Sequence, residues 1–347
     1  MNKKDRGQFY TTNAEYILDG LELPLNEESI VIEPFAGQGD LLEWLKKKDY
    51  QGQIQAYDIE PKYENVVQRD TLKNPLDYKD AWIITNPPYL ARNKCTNKEI
   101  YDQYQMNDLY KCFLQGVIQQ NNCRGGIVII PSGFFFSTRD MDIRLRDEFM
   151  TNFQITTVKY FEERVFEDTS TTIVAFSFVK SSQELHEQEV LWEFLPAKDR
   201  QTFHVNRMNH WVVGGEIYHL AIPIGITIRR HVEKHPLKDG EQQTHMTLNA
   251  LDSGTEGGRI CLEYKKDYVY PAKDCSRTYA TIRIQGRRLS EAQQMEVCKR
   301  FNDLLEKRRL ETHSLFLPQF RESKEYARKR IPFELAYRII MYILIDL

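Results

Sequence analysis

The sequence predicts an α/β protein: a doubly wound, mostly parallel sheet closed by an antiparallel hairpin, then a second domain of mixed α+β character. Three observations carry that prediction. Apolar runs of strand length alternate with helix-period segments from residue 29 to about 179, the pattern of successive βα units. The first run ends in a glycine-containing turn, Phe35-Ala36-Gly37-Gln38-Gly39-Asp40, that opens straight into a helix. After Lys180-Ser181-Ser182-Gln183 the alternation stops, and glycine turns at Gly214-Gly215, Gly240, Gly254 and Gly257-Gly258 separate short strands. A chain of 347 residues can bury two cores, and the shift in composition divides it into residues 1–180 and 181–347.

The elements follow in order. Thr12 or Asn13 is placed to cap a short helix after Gly7-Gln8-Phe9-Tyr10-Thr11. Ser29-Ile30-Val31-Ile32-Glu33-Pro34 reads as the first strand and Leu41–Leu45 as the start of its helix. A second strand, Gln53–Asp58, ends in an acid about 20 residues after the glycine turn, a position suited to ribose hydroxyls. A third, Asn65–Gln68, runs into Arg69-Asp70-Thr71-Leu72, which puts Asp70 at a strand's C-terminal end. Ala81-Trp82-Ile83-Ile84-Thr85 is the fourth, followed by a helix over about 108–122 with Leu109, Phe113, Val117 and Ile118 at helical spacing. Gly126–Ile130 is the fifth strand; a helix near 139–150, the strand Ile155–Tyr160 and the hairpin strand Thr172–Val179 close the domain. In the second half one long helix, about 290–310, presents Met295, Val297, Cys298, Phe301, Leu304 and Leu305 on its apolar side. The final Ile339–Ile345 run is too short to span a bilayer and reads as core or a subunit contact.

Asn86-Pro87-Pro88-Tyr89 follows the fourth strand directly. The prolines fix φ and donate no N–H, so the loop is stiff. The Asn86 side-chain oxygen and a neighbouring backbone carbonyl can accept both hydrogens of a flat exocyclic amine, and Tyr89 offers a ring face to a planar group. A proline turn closing a strand would have the same residues, so the loop points to chemistry through its company upstream. The third glycine of a dinucleotide fingerprint is missing, Leu42 standing in its place, and no phosphate-cradling run appears. That suits a nucleoside ligand without pyrophosphate.

Composition narrows the classes. Hydrophobic content of 41% and charged content of 28% are those of an ordinary globular protein. The net charge of −3 divides unevenly: 21 basic against 27 acidic residues in 1–180, a balance of −6, and 26 against 23 in 181–347, a balance of +3. The C-terminal half is therefore the side expected to face a polyanion. The six cysteines have no CxxC spacing and no histidine partners, so reduced thiols and no metal site are expected. No apolar h-region follows Met1-Asn2-Lys3-Lys4-Asp5-Arg6, and the expected location is cytoplasmic.

Taken in order, GQFYTT, EPFAGQGD, AYDIEP, RDTL, NPPY, IIPSGFF and VFEDTSTTIVAFSF resemble the motif series of the amino-directed, S-adenosylmethionine-dependent DNA methyltransferases. The order is similar to that of the gamma group of N6-adenine enzymes of restriction-modification type, over residues 7 to about 179. The resemblance implies a class I, Rossmann-like fold with a mostly parallel seven-stranded sheet, followed by a target-recognition domain. It implies that Gln8, Phe9, Tyr10 and Thr11 close over the methionine end of the cofactor, and that Glu33, Phe35 and Gly37 form its turn. Asp58 would bind the cofactor ribose, Ile59 would lie against its adenine, and Asp70 would accept from the adenine amine. Asn86, Pro87 and Tyr89 would form the catalytic loop, with Asn86 also beside the cofactor. Phe166 resembles the aromatic that packs on the extruded base, although Glu167-Asp168 replace the usual Pro-Gly.

The implied reaction is methyl transfer to adenine N6 in a short duplex target after base flipping, with Tyr89 and Phe166 replacing the lost stacking. The implied partners are double-stranded DNA and a separately encoded restriction endonuclease, with S-adenosylmethionine as cofactor, no metal and no membrane. Arg277, Arg283, Arg287, Arg288 and Asn249 are candidate base readers in the second half. Arg92 and Lys94 are candidate backbone contacts beside the flipped base. No Pro-Cys dipeptide is available for C5-cytosine chemistry. N4-cytosine methylation uses the same loop logic, and release-factor glutamine methylation also uses NPPY but with a helical domain ahead of the core. A non-catalytic recognition subunit of the same fold is the remaining alternative, and the intact Asn86, Tyr89, Asp58 and Asp70 weigh against it.

Overall fold

A computed structural model describes residues 11, 13–166, 171–252, 259–320 and 328–347. Gln8, Phe9 and Tyr10 lie outside the described residues. The chain folds into two compact units, the first reaching Trp211 and the second beginning at Val212.

The first unit opens with α1 (Ala14–Leu18), β1 (Ile30–Glu33), α2 (Asp40–Lys47), β2 (Gln53–Asp58), β3 (Val66–Gln68) and β4 (Trp82–Thr85). It continues through α3 (Glu99–Tyr104), α4 (Leu109–Gln120), β5 (Gly125–Pro131), α5 (Gly133–Phe136) and α6 (Asp140–Asn152). It closes with β6 (Phe153–Phe161), β7 (Ile173–Lys180), β8 (Glu187–Leu195) and β9 (Asp199–Asn206). All nine strands form one sheet in the order β3-β2-β1-β4-β5-β7-β6-β8-β9. The first five are parallel, β7 runs antiparallel between β5 and β6, β8 is parallel to β6, and β9 is antiparallel to β8.

Two expectations are corrected here. Among the described residues the sheet has nine strands, not seven, and the first unit runs on to 211, not 180. The cause is the same. Strand β8 alternates exposed and buried residues along Glu187-Gln188-Glu189-Val190, and its charged positions disguise a strand that hydrogen-bonds to β6. Beyond it, Trp211 donates through Nε1 to Asp147 Oδ1 at 2.9 Å, which ties the chain to α6.

The strand order positions the site. From β3 at the sheet edge the chain returns to β4, on the other side of β1, so a topological switch point lies between β1 and β4. In open parallel sheets the crevice outside the carboxyl ends of such strands is where ligands bind. Residues Trp82–Thr85 and Gly125–Ile130 are buried throughout, as strands covered on both faces must be. Much of that cover is aromatic. Phe134 of α5 lies stacked on Phe176 at 5.9 Å, and Phe149 meets Phe153, Phe176 and Phe178.

The second unit contains β10 (Thr227–Arg230), β11 (Glu241–Asn249), β12 (Leu251–Asp252), β13 (Cys261–Tyr264) and β14 (Tyr279–Gln285). Then come α7 (Glu291–Thr312), β15 (Gln319–Phe320), β16 (Arg328–Arg330) and α8 (Phe333–Ile343). Its strands form an antiparallel sheet β10-β14-β11-β13 and a small sheet β12-β16-β15. A capping box starts α7: Ser290 accepts from the Gln293 N–H while the Gln293 side chain accepts from the Ser290 N–H. Val297, Cys298, Phe301 and Leu305 of α7 are buried with Leu304 packed beside them. Met295, expected on that side, is 48% exposed, because it sits two residues, more than half a turn, from Val297. Of the C-terminal apolar run, Ile339, Ile340, Ile343 and Leu344 share one core cluster with α7 and the sheet, whereas Tyr342 and Ile345 are exposed.

Candidate active site

The ends of β1, β2 and β4 bring together most of the residues that the sequence singled out. After β1 the backbone turns through Gly37 and Gly39, both at positive φ, and Asp40 begins α2. Gly39 is required twice over, by its φ of 87° and by the Tyr63 ring lying where a Cβ would go. The Gly37 N–H donates to Asp58 Oδ2 at 2.9 Å, and the Glu60 N–H donates to Asp58 Oδ1 at 2.7 Å. The buried acid at the end of β2 therefore holds the glycine turn. Ile59 beside it is 46% exposed, an apolar face at the rim. Asp70 is half-buried and accepts from the Lys73 N–H at 3.0 Å.

Glu33 ends β1 almost completely buried. Its Oε1 accepts from the Phe35 N–H at 2.9 Å and from the Thr85 hydroxyl at 2.5 Å. Its Oε2 has no hydrogen-bond partner among the described residues. Burial pushes the carboxyl up to about 8, with the Asp58 charge adding to the rise and the Thr85 and Phe35 hydrogen bonds opposing it.

Asn86 follows Thr85 directly. Its Nδ2 donates to Thr11 Oγ1 at 3.0 Å, and its Oδ1 accepts from the Tyr89 hydroxyl. The same hydroxyl lies 2.6 Å from the Ile129 carbonyl on β5, so one proton serves two acceptors. Thr11, Phe35, Ala36, Gly37, Asp40, Leu41 and Asn86 together line one narrow cleft. The glycine turn, the N-terminal segment and the proline-loop asparagine thus share a wall. A neighbouring recess reuses Thr11 and Asp40 and adds Glu15, Trp44 and Lys47. Burial raises the Asp40 carboxyl above its ordinary value.

Two aromatic candidates are covered in this structure. Tyr89 is 8% exposed, with its ring edge-on to Tyr110 at 6.2 Å. Phe166 is 3% exposed, its carbonyl accepting from Arg164 Nε at 2.9 Å. Pro87 is buried beneath the loop. Arg92 is half-buried and paired with Asp102 at 2.6 Å, whereas Lys94 is exposed.

In the second unit the candidate readers separate. Arg277 and Arg288 are exposed. Arg283 is not a surface residue: it is 2% exposed on β14, and its guanidinium donates to the Pro236 carbonyl at 3.1 Å and meets His231 Nδ1 at 2.5 Å. Arg287 is half-buried and donates to the Leu344 carbonyl at 2.6 Å. Asn249 is buried, donating to the Arg259 carbonyl and accepting from the Leu251 N–H. Arginine at a strand's inward position is indistinguishable in sequence from one facing outward, and β14 has no clean alternation to tell them apart.

Residues 40–166 match the family model described as Eco57I restriction-modification methylase. Those residues are thus similar to a methylase core of the restriction-modification type. Over 197 residues the chain is 25% identical to the type II methyltransferase M.HincII of Haemophilus influenzae, covering 50% of this chain and 37% of that protein. The type II methyltransferase M.HindII of Haemophilus influenzae strain Rd is likewise 25% identical over 197 residues, covering 50% and 36%. The aligned part is thus little more than a third of these relatives' own length. Among solved structures, a modification subunit of a putative type I restriction enzyme from Vibrio vulnificus YJ016 superposes with a TM-score of 0.42 and 17% identity, covering 56% of this chain and 48% of that one.

Within the matched residues two further groups are not legible from the sequence. Thr85 reads in the sequence as the last residue of an apolar strand, although a hydroxyl in such a run is itself the signal. Asp108, at the start of α4, bridges to Ala91 just after the proline loop, and burial pushes its carboxyl up to about 6 against the pull of Lys111 and nearby backbone amides. Next to it Lys111 pairs with Asp142, and both side chains are buried. Among the described residues no group of three or more metal-ligand side chains occurs, and no helix is long and apolar enough to cross a membrane.

Proposed function

We propose that the chain is a site-specific DNA methyltransferase that transfers a methyl group from S-adenosylmethionine to adenine N6 in a short duplex target. The observation that carries this reading is the shared cleft in which Gly37 and Asn86 face each other across the β1–β4 switch point. A nucleoside held at the glycine turn would lie against an amine held by Asn86. The wall fits a nucleoside: positive-φ glycines permit close backbone approach, Asp58 can accept from ribose hydroxyls, and exposed Ile59 offers a face to a base. Asp70 would accept from the adenine amine. Thr11, with Gln8, Phe9 and Tyr10, would close over the amino-acid end. Bound there, S-adenosylmethionine would supply the methyl group.

The chain's own residues would hold and polarise the amine. Asn86 Oδ1 and the Pro87 carbonyl would accept from the exocyclic amine and localise its lone pair, while the two prolines keep both acceptors in place. No covalent intermediate with the protein is needed, since positioning is the main contribution. A base inside a duplex cannot reach the loop and must be flipped. Tyr89 and Phe166 would then be uncovered to stack on it. The second unit would read the target, with Arg277 and Arg288 among its exposed cations, and Lys94 would meet the backbone near the flipped base. A separately encoded restriction endonuclease would share the target.

Digesting methylated duplex DNA to nucleosides tests the reading. N6-methyladenine is expected. N4-methylcytosine as the sole product would move the assignment to cytosine, and no modified base would remove it.

A further inference from the structure

A hydroxyl at the end of a buried apolar strand needs a reason. Trp82, Ile83, Ile84 and Thr85 of β4 are all buried, and Thr85 is fully so. Valine would suit the backbone and the core as well, without a polar group to satisfy. The partner is no cheaper. Glu33 buries a carboxyl on the neighbouring strand, and Thr85 is the side chain that donates to it. If stability were the only requirement, an apolar pair of similar volume would serve equally.

We propose that Thr85, through its hydrogen bond to Glu33, is a positioning residue that sets the orientation of Asn86. The bond joins the two parts of the cleft that have to stay in register. On one side, the same Glu33 Oε1 accepts from the Phe35 N–H and so belongs to the glycine turn. On the other, Thr85 is one peptide away from Asn86. Pro87 and Pro88 follow with fixed φ, so a tilt at the end of β4 is handed to Asn86 instead of being absorbed by the loop. The glycine turn does not depend on this bond alone. Thr71 Oγ1 donates to the Pro34 carbonyl at 3.0 Å, and the Gly37 N–H donates to Asp58. The tie to Thr85 is therefore spare for the turn and specific for the start of the catalytic loop.

The inference deepens the methyltransferase reading and rests on it for its catalytic consequence. Its test is Thr85→Val beside Thr85→Ser in the full chain. Valine keeps the branched shape and removes the hydroxyl; serine keeps the hydroxyl. Thr85→Val is expected to bind S-adenosylmethionine within about twofold of wild type while turnover falls by about 10- to 100-fold. Thr85→Ser is expected to return to within about threefold of wild-type turnover. A second readout does not depend on activity: the side-chain amide signals of Asn86 in protein labelled at asparagine, assigned by their loss in Asn86→Asp. They should move in Thr85→Val and return in Thr85→Ser. Unmoved Asn86 signals in Thr85→Val overturn the proposal, as does a Thr85→Val chain that fails to fold while Thr85→Ser folds. Moved signals in Thr85→Val, together with a wild-type protein that transfers no methyl group, would leave the tie standing and overturn the functional reading instead.

Discussion

The proposed function gives Asp58 and Asn86 separate roles, cofactor binding for the first and catalysis for the second. Asp58→Ala removes a charged acceptor and should weaken S-adenosylmethionine binding by roughly 1.5–3 kcal/mol, measured by titration calorimetry. The same change frees the Gly37 and Glu60 N–H groups that Asp58 holds, so some loss of thermal stability should accompany it. Asn86→Ala removes the side chain that donates to Thr11 Oγ1 and, on the proposed roles, should leave affinity nearly unchanged while abolishing turnover. Equal loss of affinity in both variants would refute that division. Glu33 adds a pH signature. Its carboxyl keeps a proton in the folded state up to about 8, whereas the ordinary value is 4.5. Unfolding then releases a proton between those limits, so the contribution is whole below about pH 4.5 and is lost as pH rises through about 8. The thermal midpoint of wild type should therefore fall relative to that of Glu33→Gln as pH is raised from neutrality to about 8, and parallel curves would show that Glu33 is ionised in the fold.

At the scale of elements, two short devices can be tested. The glycine turn between β1 and α2 depends on Gly39, whose φ of 87° and closeness to the Tyr63 ring leave no place for a side chain. Gly39→Ala should destabilise the chain by about 1–2 kcal/mol from the backbone alone, and more if the ring cannot move. Loss of cofactor affinity should accompany it, and an unchanged thermal midpoint would contradict this account of the turn. The capping box of α7 is the second device. Ser290→Ala should cost about 1 kcal/mol in chemical denaturation without touching the methylase core. Helix lengths and strand positions were legible because period and punctuation are local. Strands β8 and β9 were not, because half-buried strands with charged outer positions look like surface until the sheet supplies a hydrogen-bonding edge.

Across the whole molecule, the division of labour between the units can be read through salt. Arg277→Ala and Arg288→Ala should weaken duplex binding and reduce its dependence on ionic strength, as expected when a phosphate contact is lost. Arg283→Ala should instead lower stability by about 3 kcal/mol or more, since its guanidinium is buried beside Glu241 at 3.7 Å. If Arg283→Ala kept the wild-type melting temperature and only DNA affinity fell, its burial would have misled us. The sequence alone was enough to determine the parallel βα order, the glycine turn, the acid ending β2 and the proline loop ending β4. Each is a short-range pattern whose chemistry is carried by the residues themselves. Tertiary structure alone decided that Gly37 and Asn86 line one cleft, that Tyr89 and Phe166 are covered, and that Arg283 faces inward. It also decided that Glu33 reaches across to Thr85. These facts depend on which strands become neighbours and which faces they bury, and strand order is fixed by contacts between residues far apart in the chain, which no local spacing encodes.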